Sequence, residues 1–196
     1  MIYTGKLSTE LSDYIERKIL SSNEINWLFS TETSTYDGDN SSFITKNTLD
    51  TFQFEHWIVS ARYGIVDPEL LSTILSPFVD EYQKNWTNYP NLIHINRAKI
   101  NILTQNSSSE NLYHTPHIDD DAKHWVMIYY INDTDGDTYI FNETYDGTEK
   151  QLTINRCISP EKGKFIVFNG KYFHSSSSPK KSTIRSVINI NFQGGN

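Results

Sequence analysis

The chain has 196 residues and a mass of 22.7 kDa, enough to bury a core as one domain without disulfides or a structural metal. Its 12 Tyr, 10 Phe and 4 Trp exclude a disordered chain. The net charge of −7 argues against a surface for polyanions, so we expect no nucleic-acid partner. The sequence contains one cysteine and shows no signal peptide and no membrane-length apolar run. We therefore expect a cytoplasmic protein without a membrane partner.

Helical patterns dominate residues 1–90. One helix should begin near Ser8, where apolar residues follow at helical spacing. A second helix is predicted over residues 67–86, because Asp67 is a good N-cap and is followed by a proline that suits the first turn. Between these helices the sequence predicts a polar loop at residues 30–42 and a strand at residues 51–60.

Residues 91–196 consist of short runs rich in Ile, Val, Tyr, Phe and Thr, separated by turn residues. This texture is typical of a β-sandwich or barrel, and with the N-terminal helices it predicts a mainly β fold of the α+β class. We expect seven or eight strands, at residues 92–103, 113–119, 124–132, 137–142, 152–158, 164–169, near Phe173, and 183–192.

A candidate metal site begins with His117 and Asp119, two residues apart in a predicted strand, where both side chains would point to the same side. A third candidate ligand, His174, lies 57 residues further on, at the end of another predicted strand. Two imidazoles and one carboxylate on one face of an octahedron leave three open positions. This arrangement suits Fe(II) binding a co-substrate together with dioxygen, and zinc is the alternative metal.

Arg185 lies eleven residues after His174, in a strand where Arg185, Val187, Asn189 and Asn191 share one face. A charged guanidinium within such a strand needs a partner. Its planar fork can hold a carboxylate through two parallel hydrogen bonds, which a lysine cannot reproduce. The position therefore predicts a binding site for a dicarboxylic acid.

The order and spacing of His117, Asp119, His174 and Arg185 resemble the Fe(II)/2-oxoglutarate-dependent dioxygenase superfamily. Within it, the segment 96–192 is similar to the prolyl 4-hydroxylase-like branch, including small virus-encoded members. By this resemblance, Tyr130 would contact the distal carboxylate of 2-oxoglutarate. That branch usually has a Tyr three residues before the first His, whereas here Tyr113 lies four residues before it and His114 takes the equivalent place.

The resemblance implies a single dioxygenase domain, residues 1–196, in which a double-stranded β-helix of residues 91–196 is supported by residues 1–90, with the helices packed on one sheet. It implies Fe(II), 2-oxoglutarate as co-substrate and O2, with ascorbate as an optional reductant. The reaction would be hydroxylation of a C–H bond in a small molecule or a peptide side chain, with a prolyl side chain among the candidates. A viral protein of this type would act in the host cytoplasm.

Two alternatives stay open at this point. A nucleic-acid or nucleotide dealkylase of the same superfamily would need a basic groove, which the acidic composition does not favour. A non-catalytic jelly-roll binding module would retain the fold without turnover. Substrate specificity should lie in the loops at residues 30–42 and 105–111, whose sequences carry no pattern that identifies a substrate.

Overall fold

The computed structural model describes residues 1–33, 51–108, 112–148 and 151–195. The predicted loops 30–42 and 105–111 therefore lie partly outside the described residues. In chain order the elements are β1 (Ile2–Lys6), α1 (Thr9–Leu20), β2 (Leu28–Ser30), β3 (Gln53–Ser60), β4 (Gly64–Ile65), α2 (Pro68–Leu70), a π-helical turn (Leu71–Leu75), α3 (Ser76–Asn85), β5 (Asn91–Thr104), β6 (Trp125–Tyr130), β7 (Thr138–Thr144), β8 (Ile154–Ile158), β9 (Lys164–Asn169), β10 (Tyr172–Ser176) and β11 (Ile184–Gly195).

Both predicted helices begin at side-chain caps. The hydroxyl of Ser8 accepts a hydrogen bond from the Leu11 amide, and the carboxylate of Asp67 accepts one of 2.9 Å from the Leu70 amide. The second helix runs to Asn85, although the π-helical turn interrupts it after its first turn. Among the described residues, no helix combines the length and the hydropathy needed to span a bilayer.

The strands form two antiparallel sheets. The large sheet has the order β1-β9-β6-β11-β5-β3-β2, with β4 paired to β3, and the small sheet has the order β10-β7-β8. This is the mainly β architecture that the sequence predicts. Strands β1, β2 and β4 were not predicted from the sequence, and they join the large sheet from the first 90 residues.

Side-chain alternation gives the large sheet two apolar faces. Along β6, Met127 and Tyr129 belong to the core beneath the helices, whereas Ile128 and Tyr130 belong to a second core between the sheets. The helices contribute Ile15, Ile19, Phe78 and Tyr82 to the first core. The helices therefore cover one face of the large sheet. The opposite face lines the space between the two sheets.

The predicted strand at residues 113–119 is wrong. The structure has a single β-bridge there, between His117 and His174, and no regular strand in the described part of this segment, residues 112–119. Pro116 stands directly before His117 and has no N–H to donate to a ladder, which explains why regular pairing does not extend through this position. The bridge nevertheless joins this segment to the edge of the small sheet.

We predict that the contact of the helices with the large sheet depends on Phe165. Its ring centroid lies 4.8 Å from that of Trp86, 5.5 Å from that of Tyr82 and 6.1 Å from that of Phe78. Phe165→Ala should lower the free energy of unfolding by about 3–5 kcal/mol, measured by urea denaturation. Tyr63→Ala, at a residue that is 74% exposed, should change it by less than about 0.5 kcal/mol. Equal losses in the two variants would contradict this packing.

Candidate metal and co-substrate site

The three candidate metal ligands converge at one point between the sheets. One ligand atom from each of His117, Asp119 and His174 lies within 4.8 Å of the other two. His117 Nε2 is 3.8 Å from Asp119 Oδ1, and His174 Nε2 is 3.7 Å from Asp119 Oδ2. Because metal-ligand bonds of this type are about 2.0–2.2 Å long, donors at these separations are within reach of one ion.

The backbone orients both imidazoles for ligation. His117 Nδ1 lies 3.0 Å from the carbonyl oxygen of Thr115, and His174 Nδ1 lies 3.3 Å from that of Tyr172. A carbonyl can only accept, so each Nδ1 carries the hydrogen and each Nε2 keeps its lone pair. His174 Nε2 is buried and has no hydrogen-bond partner among the described residues. An unpaired buried nitrogen that faces a carboxylate and a second imidazole fits a metal ion.

The protonation states also fit a metal site. Burial lowers the pKa of His174 to about 4, against the attraction of Asp119, and it lowers the pKa of His117 as well. Burial acts to raise the pKa of Asp119, but the Arg97 guanidinium beside it holds that pKa well below its ordinary value. At pH 7 the site therefore consists of two neutral imidazoles and one carboxylate, the forms that ligate.

Two side chains hold the Asp119 carboxylate: Arg97, which the sequence analysis missed, and Asn189, which strand alternation places on the same face as Arg185. Arg97 Nη2 lies 2.5 Å from Oδ1, and Asn189 Nδ2 donates to Oδ2 over 3.3 Å. The Asp119 side chain is only 4% exposed, so these donors compensate for its removal from water. Arg97 lies on β5, 22 residues before Asp119. In the sequence, only the alternation of side chains along β5 could have indicated that Arg97 faces the site.

Arg185 is buried at one end of the same cleft. Its Nε donates to the Gly136 carbonyl over 2.8 Å, and its Nη2 donates to the Thr138 hydroxyl over 2.8 Å. These two bonds fix the plane of the guanidinium and leave further N–H groups without a partner among the described residues. Arg185 lines the cleft together with the three candidate ligands. The structure thus brings the four residues of the predicted pattern to one cavity.

Tyr130 lies behind Arg185 and is fully buried, and it is not among the residues that line the cleft. Its hydroxyl donates to the Thr138 hydroxyl over 2.9 Å. Burial raises the pKa of Tyr130 to about 12, so it stays protonated. Since Thr138 Oγ1 accepts from both Arg185 and Tyr130, its own hydrogen is left to donate into the cleft that Thr138 lines. The direct contact proposed for Tyr130 stays a prediction, and Thr138 is a donor that the sequence analysis missed.

The cleft has a cavity volume of about 100 Å³ and opens to solvent. Its wall on β5 carries Arg97, Lys99, Asn101 and Leu103, which alternate toward the cavity. The opposite wall comes from the small sheet and the segment that carries His117. His114, three residues before His117, is buried with its ring nitrogens 3.2 Å from Ser176 Oγ and 3.1 Å from Ser178 Oγ. His114 does not belong to the cluster of candidate ligands.

Comparison with known proteins gives matches at the level of structure. No protein-family model matches the sequence, and no curated protein matches it. An oxidoreductase of the 2OG-Fe(II) oxygenase family from Burkholderia pseudomallei superposes with a TM-score of 0.61 at 14% identity, covering 98% of this chain and 86% of that one. The chain has the fold of the 2OG-Fe(II) oxygenases.

Two further structures share this fold. The epimerase SnoN, solved in complex with Fe3+, alpha ketoglutarate and nogalamycin RO, has a TM-score of 0.57 at 12% identity, with 98% of this chain and 78% of that chain covered. A prolyl hydroxylase from Trichoplax adhaerens, solved with a hypoxia inducible factor peptide, has a TM-score of 0.52 at 14% identity, with 98% and 82% covered. Each similarity concerns the fold, and at such low identity it transfers no substrate.

We predict that Asp119→Asn abolishes tight binding of Fe(II) or Mn(II) and leaves the fold intact. The amide has nearly the same shape as the carboxylate but lacks its charge. Substitution of a residue that only supports a metal ligand weakens metal affinity by up to roughly 100-fold, so loss of the ligand itself should weaken it by more. Elemental analysis and Mn(II) calorimetry measure the loss. Asp121→Asn, in the same acidic run but outside the cluster, is the matched control. Metal stoichiometry near that of the wild type in Asp119→Asn would refute the ligand assignment.

Proposed function

We propose that this protein is an Fe(II)- and 2-oxoglutarate-dependent oxygenase that hydroxylates a C–H bond of a small molecule or a peptide side chain. The observation that carries the proposal is the convergence of His117, Asp119 and His174, with an orphaned Nε2 on His174, in the cleft that also contains Arg185. Fe(II), 2-oxoglutarate and O2 would supply the oxidising chemistry, with decarboxylation of the co-substrate to succinate.

In this proposal one end of the cleft binds the metal ion and the other end binds the distal carboxylate of 2-oxoglutarate. The three ligands hold the metal, and Arg97 and Asn189 hold Asp119 in its ionised form. Arg185 and the Thr138 hydroxyl bind the distal carboxylate of 2-oxoglutarate, while Tyr130 fixes Thr138 from behind. The core between the sheets, which includes Ile128, Ile166 and Phe168, excludes water from this side of the site.

Hydroxylation is the part of the proposal that depends on which substrate binds. The structurally similar epimerase SnoN shows that proteins with this fold also carry out other reactions. The nucleic-acid or nucleotide dealkylase is less favoured, because the net charge of −7 argues against an extended basic surface around the cleft for a polyanion. The complete set of ligands does not favour a non-catalytic module.

Turnover of the co-substrate tests the proposal without knowledge of the substrate. The protein with Fe(II), 2-oxoglutarate, O2 and ascorbate should form succinate slowly in the absence of a substrate, measured by mass spectrometry of labelled 2-oxoglutarate. The Asp119→Asn protein, treated in the same way, should form no more succinate than Fe(II) alone. Equal succinate from the wild type and Asp119→Asn would contradict an oxygenase function.

We predict that Arg185→Lys weakens the binding of 2-oxoglutarate by roughly ten-fold or more, because lysine keeps the charge but loses the fork. Tyr130→Phe removes one neutral hydrogen bond to Thr138 and should weaken binding less. Calorimetric titration of 2-oxoglutarate into the Mn(II) protein measures both effects, and Mn(II) affinity should not change. Arg62→Lys, at an exposed residue, is the matched control. Unchanged affinity in Arg185→Lys would place the co-substrate elsewhere.

A further inference from the structure

The cleft is more cationic than the rest of the molecule. Among the described residues that line it, Arg97, Lys99 and Arg185 are cationic and Asp119 is the single acid. The whole chain, by contrast, carries a net charge of −7. The proposed co-substrate accounts for Arg185, and the Asp119 carboxylate accounts for Arg97. Lys99 has no task in the proposed function.

The pairing of β5 with β11 shows where Lys99 lies relative to the co-substrate site. Arg185 pairs with Leu103, Asn189 with Lys99, and Asn191 with Arg97. At about 3.3 Å per residue, Lys99 lies roughly 13 Å along the sheet from the Arg185 end of the cleft. Asn189, opposite Lys99, contacts the metal ligand Asp119. Lys99 therefore faces the part of the cleft at the metal ligands, away from the anchor for the distal carboxylate.

Two residues of β3 hold the Lys99 ammonium in place. Its Nζ lies 3.0 Å from Glu55 Oε2 and 5.3 Å from the ring centroid of Trp57. Glu55 Oε1 in turn accepts a hydrogen bond of 3.1 Å from Trp57 Nε1. The Lys99 and Glu55 side chains are only 13% and 16% exposed. Lys99 lines the cleft, and its ion-pair partner Glu55 lies beside it, on the same face of β3 as the cleft residue Gln53.

The charges of the filled site leave an excess of positive charge. The two carboxylates of 2-oxoglutarate balance a divalent metal ion, Asp119 balances Arg97, and Glu55 balances Lys99. The Arg185 charge is then left over. Lys99 lies roughly 13 Å from Arg185, so this excess makes the cleft as a whole favourable for an anion and does not itself select a position. A second anion is held most strongly where it touches a cation directly, because charges in a cavity largely removed from water interact more strongly than in bulk water. At the metal-ligand end of the cleft, Lys99 is a cation with N–H groups that no described residue uses.

We propose that the substrate itself carries an anionic group, a carboxylate or a phosphate, which binds at Lys99 beside the metal site. This inference rests on the proposed function, since it assigns the substrate class of the same cleft. An ammonium supplies up to three donors, and the bond to Glu55 uses one of them. The substrate anion accepts from the others, and this contact sets which C–H bond faces the metal ligands.

A matched pair of neutral and anionic probes tests the proposal. The protein is loaded with Mn(II) and saturating 2-oxoglutarate, and the binding of benzoate and of benzamide is measured from the paramagnetic relaxation of their protons. Benzoate should bind roughly ten-fold more tightly than benzamide, about the effect of one hydrogen bond to a charged group. Equal binding of the two probes would overturn the proposal.

Two variants of the Lys99–Glu55 ion pair separate the effect of charge on benzoate binding from the effect of a disturbed structure. Lys99→Gln and Glu55→Gln both break the same contact, but they change the charge in opposite directions. Lys99→Gln should weaken benzoate binding several-fold, whereas Glu55→Gln should strengthen it, and neither should change the binding of benzamide. Lys180→Gln, at an exposed lysine, is the control for charge alone. If both variants changed benzoate affinity in the same direction, the Lys99–Glu55 ion pair would serve only the fold, and the proposal would be overturned.

Two further outcomes are decisive. Displacement of 2-oxoglutarate by benzoate, seen as weakened 2-oxoglutarate affinity, would show that the anion binds at Arg185 and would overturn the proposal. Failure of 2-oxoglutarate to bind the Mn(II) protein in the first place would contradict the proposed function, and this inference with it. Normal 2-oxoglutarate binding without any preference for benzoate would reject the anionic substrate alone.

Discussion

The site depends on one pair of backbone hydrogen bonds between distant segments. The His117 amide donates to the His174 carbonyl over 3.0 Å, and the His174 amide donates to the His117 carbonyl over 2.9 Å. In such a pair the two residues lie directly opposite each other. Their rings are consequently neighbours, with centroids 4.7 Å apart, although 57 residues separate them in the chain. This bridge ties an irregular segment to β10 and brings Asp119 to the same point.

The remaining structure supplies what this bridge cannot supply alone. A carboxylate as buried as that of Asp119 would be costly without partners, and β5 and β11 provide Arg97 and Asn189 for it. These strands are neighbours in the large sheet, and the helices cover its other face. The paired strands thereby position the donors that hold Asp119 in its ionised form. The same two strands carry Arg97, Lys99 and Arg185, so the three cationic residues that line the cleft in the described part of the chain come from one pair of neighbouring strands.

The sequence predicts those features that depend on local patterns. The helix starts follow from the caps at Ser8 and Asp67, and the face of β11 follows from simple alternation. His117, Asp119, His174 and Arg185 could be found because they stand in a known order and at known spacing. The cluster of the first three then follows in the structure.

Features that depend on pairing between distant segments could not be predicted. The short strands β1 and β2 gain their pairing only from β9 and β3, so local composition gives little signal for them. The segment before His117 has the composition of a strand, but Pro116 and a single bridge leave it irregular. Arg97 and Lys99 stand in a strand of mixed composition, and their contacts with Asp119 and Glu55 arise only from the fold.

The most direct measurement of the central claim is anaerobic optical titration of the Fe(II) protein with 2-oxoglutarate. If the three ligands hold the metal with open positions and Arg185 holds the distal carboxylate, a weak visible charge-transfer band should develop and saturate at one equivalent of each. The band should require both components and should be absent with succinate in place of 2-oxoglutarate. A protein that binds Fe(II) and 2-oxoglutarate but develops no band would contradict chelation of the co-substrate at this site.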